Sequence, residues 1–192
     1  MKAVLNLFRQ RPWKLHLSVI LAGLGLDQLT KYLAVKAYSL PGGHINPFAV
    51  TEVIGEWLRF RLVYNPGAAF GLQPQKLLPW LHPTVFYVLI SILAMVALLV
   101  YYTKTPKEDR FSLLGLAFIL SGALGNLFDR FRIHKVVDFI DVGIPGYNYR
   151  WPTFNIADSM VCIGVGILLI MQFFSKPPLP QNNQTASGSV DA

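Results

Sequence analysis

Four stretches of the chain are apolar for long enough to cross a bilayer, whose hydrocarbon core takes about 20 residues of helix. They cover about residues 14–35, 83–103, 111–130 and 153–174. The second has no charged side chain, the third none before Asp129, and the fourth only Asp158. The first is apolar from Leu15 to Leu26, is interrupted by Asp27 and Lys31, and resumes from Tyr32 to Val35. A basic leader before a short apolar core also fits a cleaved signal peptide. Ala34-Val35-Lys36 is a poor small-residue cleavage site, however, so the segment reads as a retained spanning helix. Between the first and second segments, WLRFRLVYN (Trp57 to Asn65) alternates. Leu58, Phe60, Leu62 and Tyr64 fall on one side, Arg59 and Arg61 on the other, which is the period of a strand.

The predicted fold is an all-α membrane protein of four transmembrane helices. A small extracytoplasmic β-containing substructure is expected between helices one and two. Residues 1–175 are expected to form one integral membrane domain. Residues 176–192, rich in Pro, Gln, Asn and Ser, are expected to form a disordered cytoplasmic tail.

Composition agrees with the pattern. The 192 residues are 53% hydrophobic and 14% charged, against about 25% charged in soluble domains; the mean hydropathy is +0.43. The formal net charge of +7 could suggest a nucleic-acid partner. The distribution argues against one. Lys2, Arg9, Arg11 and Lys14 form one cluster and Lys104, Lys107 and Arg110 another, both beside apolar runs. Short basic flanks of spanning helices face the cytoplasm, so both termini are predicted inside. The single cysteine, Cys162, lies in an apolar run and reads as packing. His16, His44, His82 and His134 show no ligand spacing and read as interfacial bystanders. No metal or cofactor is expected.

With that orientation the polar residues share one depth. Asp27 and Lys31, Asn126, Asp129 and Arg130, Asp138 and Asp141, and Asn155 and Asp158 all fall at the outer ends of spans or just beyond them. Ionisable groups in spanning helices are costly and usually functional. A carboxylate pair sharing one proton could hydrolyse a peptide bond, one member activating water and the other protonating the carbonyl oxygen. Asp138 and Asp158 are candidates, and on the residues alone Asp129 and Asp141 are equally eligible. A serine protease would need a histidine or lysine base within the spans; Ser121 and Ser159 are present, but no histidine is expected in a helix core. A proton-coupled transporter would place its acids near the midplane.

Five motifs in order, DQLTK (Asp27 to Lys31), NPGAAFG (Asn65 to Gly71), GNLFDR (Gly125 to Arg130), VVDF (Val136 to Phe139) and FNIADS (Phe154 to Ser159), carry a resemblance to the lipoprotein signal peptidases, or signal peptidase II. These are aspartic proteases of the bacterial inner membrane. The resemblance implies that Asp138 and Asp158 are the catalytic dyad. Asn65, Gly67, Gly122, Asn126, Arg130, Asn155 and Asp129 would bind substrate or support the dyad. It further implies diacylglyceryl-modified prolipoproteins as substrates, cleaved immediately before the lipidated lipobox cysteine. Membrane lipid would be the other partner, the active site would lie at the extracytoplasmic face, and the chain would act as a monomer. Asp27 and Lys31, four residues apart, read as a structural ion pair on one helix face. Gly122 and Gly125 also fit close helix packing.

Overall fold

The computed structural model describes residues 13–42, 44–67, 76, 79–147 and 149–174. The start of the basic leader, Ala68 to Gly71 of the NPGAAFG motif and the 176–192 tail lie outside the described residues. Seven elements follow in order: α1 (Trp13–Tyr38), β1 (Thr51–Ile54), β2 (Leu58–Asn65), α2 (Pro83–Lys104), α3 (Arg110–Ile133), β3 (Val136–Val142) and α4 (Ile156–Phe174).

Local sequence explains where the helices start and stop. His82 caps α2, its ring accepting from the Thr84 amide, and Pro83 opens the helix where no N–H is needed. Thr105, held extended by the following Pro106, ends it. The Asp109 side chain accepts from the Ser112 amide and starts α3. At the far end of α3, His134 adopts a left-handed turn at φ 60° and donates its N–H to Arg130 O.

Helix α3 is the axis of the bundle. Its apolar window is 61% buried, against 6% for α2 and 17% for α4, so α3 is wrapped by protein while the other two face outward. Glycines permit the closest approach, between α3 and α4. A Cβ on Gly122 would strike Ala157 O, and one on Gly164 would lie 2.5 Å from Gly115 O. The outward faces are apolar: Leu89, Ile90 and Leu93 of α2 and Leu169 and Ile170 of α4 are all exposed, as lipid contact requires. Cys162 is on that exposed side rather than packed inside. Lipid-facing and buried positions of a spanning helix are equally apolar, so its neighbours in sequence do not tell the two apart.

Among the described residues, α2, α3 and α4 are long and apolar enough to cross a membrane. Helix α1 runs unbroken for 26 residues, but Asp27 and Lys31 lower its hydropathy. Both are wholly buried against the rest of the bundle, so the charges are hidden inside protein.

The β substructure corrects the expectation that it lies wholly between the first two spans. It is a three-stranded antiparallel sheet in the order β1-β2-β3, and its third strand comes from after α3. VVDFIDV is rich in β-branched and aromatic residues and pairs along β2, Val136 opposite Asn65 and Val142 opposite Leu58. A bulge between Phe60 and Val63 breaks the strict alternation of β2. On one side of it Arg59 is opposite Asp141, and on the other Val63 is opposite Asp138.

His16 corrects another expectation. It is a buried residue within α1, 3% exposed, with Nδ1 2.7 Å from the Tyr102 hydroxyl. An imidazole can enter a helix core when a phenol is there to meet it.

Candidate active site

Helix α4 begins with a reciprocal cap. Asn155 Oδ1 accepts from the Asp158 amide at 2.9 Å, and Asp158 Oδ2 accepts from the Asn155 amide at 3.1 Å. This is the capping-box arrangement with an aspartate in the third position. It does more than start a helix, because the free end of the Asn155 side chain donates from Nδ2 to Asp138 Oδ1 at 2.7 Å. Asn155, with no exposed surface, thereby holds Asp138 by its side chain and Asp158 by its backbone. The same Nδ2 lies 3.1 Å from both Val137 O and Asn126 Oδ1.

Each aspartate has a second amide. Asn65, at the end of β2, donates to Asp138 Oδ2 at 3.0 Å, and Asn126 of α3 donates to Asp158 Oδ1 at 2.8 Å. Asn65 Oδ1 is itself anchored, accepting from the Gly67 amide at 2.9 Å. Gly67 holds φ at 113°, and a Cβ there would strike the Tyr87 ring; only glycine suits both demands. The Tyr87 ring also carries Arg130, whose guanidinium carbon is 5.7 Å from its centroid. Arg130 Nη1 donates to Asn126 O at 3.3 Å. Tyr87 is invisible in the sequence: it is an aromatic in an unbroken apolar run.

Burial pushes the Asp138 carboxyl up to about 7, and the charge of Asp158 adds to the rise. The amides of Asn65 and Asn155 and the Lys31 charge oppose it. Asp158 stands in a different environment, in the first turn of α4 where the helix N-terminus favours negative charge. Asn155 thus holds the two carboxylates together in unlike surroundings.

Behind Asp138 and Asp158, Lys31 bridges Asp27 and Asp129, 2.9 Å from each. The expected Asp27–Lys31 pair is present, and Asp129 joins it as a third member with no exposed surface. Gly125 makes room, since a Cβ there would approach Asp27 Oδ2 to 2.5 Å. Gly122 lies against Ala157 and sets the approach of α3 to α4. Asp141 belongs elsewhere. Arg150 donates to it at 2.7 Å, with Arg61 and Arg59 at 3.4 and 3.6 Å, on the other side of the bulge from Asp138.

The serines do not form a rival nucleophilic site. Ser121 Oγ donates to Ile20 O and Ser159 Oγ to Asn155 O. Among the described residues, no three His, Cys, Asp or Glu side chains are grouped as metal ligands.

A helical membrane protein that joins a buried aspartate, Asp138, to a half-buried one, Asp158, at one end of its bundle has the build of an intramembrane hydrolase. Two solved structures, each of a bacterial membrane enzyme determined in meso, share the fold. One has a TM-score of 0.71 and 29% identity, covering 86% of this chain and 97% of the other. The second has a TM-score of 0.70 and 28% identity, covering 94% and 97%. The sequence profile of the family described as signal peptidase (SPase) II matches residues 19–174. A lipoprotein signal peptidase of Clostridium novyi is 40% identical over 79% of this chain and 93% of its own length. Another, of Aquifex aeolicus, is 36% identical over 91% and 94%. The chain belongs to the signal peptidase II family and is an aspartic peptidase of the membrane.

Proposed function

We propose that the chain removes signal peptides from diacylglyceryl-modified prolipoproteins, cutting immediately before the lipidated cysteine with Asp138 and Asp158 as the catalytic dyad. The observation that carries this reading is Asn155, which joins the two carboxylates through one residue. The names of the relatives support the substrate class.

In this mechanism the pair holds one proton, on Asp138. Asp158 takes a proton from water as the oxygen attacks the scissile carbonyl, and Asp138 gives its proton to the carbonyl oxygen. The tetrahedral diol then collapses. The proton on Asp158 passes to the leaving nitrogen, and Asp138 regains one from the diol hydroxyl. Asn65, Asn126 and Asn155 keep both carboxylates aimed throughout, and Arg130, with Gly67 beside the Tyr87 ring, borders the cleft in which the peptide lies.

Four spans serve this chemistry, with α1 as the fourth: its charges are covered by protein and its remaining face is apolar. Both termini are cytoplasmic, and the dyad lies at the outer face of the bacterial inner membrane. Residues 1–175 act as one monomeric domain, followed by the 176–192 tail. The diacylglyceryl group supplies depth: it holds the scissile bond level with the dyad while its acyl chains stay among lipid.

The test is cleavage of one diacylated precursor by purified protein, with the new N-terminus mapped. Asp138→Asn and Asp158→Asn should each lower turnover by about a thousandfold or more while the protein still accumulates, since general acid–base groups contribute roughly 10²–10⁴. Precursor lacking the lipid should be cut about a hundredfold more slowly. Near-normal turnover in either variant removes that residue from the mechanism.

A further inference from the structure

Lys31 has two contacts more than an ion pair needs. Its ammonium has three protons, and Nζ lies 2.9 Å from Asp27 Oδ2, 2.9 Å from Asp129 Oδ2 and 3.0 Å from Asn126 Oδ1. The third contact is to the amide that serves Asp158. A carboxamide can sit in two orientations that differ little in shape, and here charge decides between them. As observed, Asn126 Oδ1 receives Lys31 Nζ and Asn155 Nδ2, while Asn126 Nδ2 donates to Asp158 Oδ1. Flipped, the amide would turn its NH2 toward an ammonium and another NH2, and its oxygen toward a carboxylate. Every one of those contacts is repulsive.

We propose that Lys31 is a positioning residue for peptide cleavage: its ammonium locks the Asn126 amide so that an N–H always faces Asp158. The proposal rests on the aspartic-dyad reading above. The i,i+4 spacing with Asp27 accounts for one contact only, and a pair needed merely to neutralise charge has no use for Asn126.

The other two contacts tie the same ammonium to the elements that carry the dyad. Asp27 Oδ1 accepts from the Ala157 amide at 2.9 Å, next to Asp158 on α4. Asp129 Oδ2 accepts from the Val137 amide at 3.1 Å, next to Asp138 on β3. Gln28 Nε2 donates to Asp27 and Asp129 and closes the group. The further charged and titratable groups around it are Asp138 on β3, Asp158 on α4, Tyr87 on α2, and Arg130 and Arg132 on α3, the last 4.0 Å from Asp129 Oδ1. From β2 the facing group is the neutral Asn65.

The experiment measures kcat and KM against pH for the full chain with a diacylglyceryl-modified precursor. Lys31→Met should lower kcat about a hundredfold or more with KM within about threefold, the split expected when catalytic geometry alone is lost. The alkaline limb of its profile should move to higher pH, because the Lys31 charge is one of the influences holding the Asp138 carboxyl down. Lys31→Met leaves two buried carboxylates unpaired and could fail to fold. The charge-balanced Lys31→Met/Asp27→Asn variant covers that outcome. The native group is one cation and two carboxylates, net minus one, and the variant retains Asp129 alone, also net minus one; it should show the same kcat loss, with the limb moved less than in Lys31→Met because the charge balance is kept. Adding Lys31→Met to Asn126→Ala should cost little beyond Asn126→Ala itself, since residues acting through one another are not additive.

A folded Lys31→Met enzyme with an unmoved limb, or a folded Lys31→Met/Asp27→Asn enzyme with unchanged kcat, would overturn the proposal. So would losses for Lys31→Met and Asn126→Ala that multiply. Full cleavage by Asp138→Asn or Asp158→Asn would instead overturn the dyad reading beneath it, and the two failures are told apart by those variants.

Discussion

Near its start, α3 packs Leu113 and Leu116 against Tyr102 of α2, with Leu98 and Leu168 around them. Near its other end the same helix presents Asn126 and Asp129 to Lys31, Asn155 and Asp158, and there Asp27, Lys31, Asp129 and Asn155 have no exposed surface. The apolar end needs only shape and transfer from lipid to close packing. The polar end has to satisfy every donor and acceptor it buries, because an unpaired polar group away from water costs several kcal/mol. It does so almost entirely with neighbours that are themselves part of the site. One end of the bundle can therefore vary in many ways and still fold, whereas at the other folding and chemistry depend on the same bonds.

Substitutions at the two ends should separate these roles. Asn155→Ala strikes the polar end hardest after the aspartates themselves. It removes the donor to Asp138 Oδ1, the Nδ2 contact to Asn126 and the side-chain cap of α4 together, so turnover should fall about a hundredfold and stability by about 1–3 kcal/mol. Parallel assays of cleavage and thermal unfolding in one detergent would show both losses. Leu116→Ala, at a position with no exposed surface, should lower stability by about 2–5 kcal/mol through the cavity it leaves. Its turnover per folded molecule should stay within about twofold. A large kcat loss there would mean that the two ends are mechanically coupled and that the contrast drawn between them is wrong.

Much of the polar end is legible in the sequence. The carboxylates, amides and arginine stand out because charge in a greasy chain is rare, and the convergence of these residues at one end of the spans is readable from hydropathy alone. The capping signal Asn155-x-x-Asp158 is present too, since the spacing of the two residues is that of a reciprocal helix cap. Three features escape, for physical reasons. β3 is hidden because its motif follows a spanning helix directly and its partner strand is distant in sequence. Tyr87 and His16 give no sign of their roles, since an aromatic in an apolar run packs the same way whether or not something rests on it. The third contact of Lys31 depends on how α1 is rotated against α3, which no spacing within α1 encodes. Of the fold, the long apolar helices are legible throughout, and the sheet only in part.

The central claim is that unlike surroundings leave the one shared proton on Asp138. A carboxyl raised to about 7 is protonated below that pH and ionised above it. Cleavage by a singly protonated pair should then decline as pH rises through about 7. The sign for stability follows from the same value. Between the ordinary 3.8 and about 7 the unfolded Asp138 is ionised while the folded one holds its proton, so rising pH across that window destabilises the native state. Asp138→Asn removes this liability and should flatten the dependence, by a few kcal/mol at most, since each tenfold change in proton affinity is worth about 1.4 kcal/mol. The most direct measurement is the infrared carbonyl band of protonated carboxyls at pH 6 in the native protein and in the Asp138→Asn and Asp158→Asn variants. The account predicts a band in the native protein that is lost on raising the pH above about 8, absent from Asp138→Asn and retained in Asp158→Asn. A band that survives in Asp138→Asn and disappears in Asp158→Asn would contradict it.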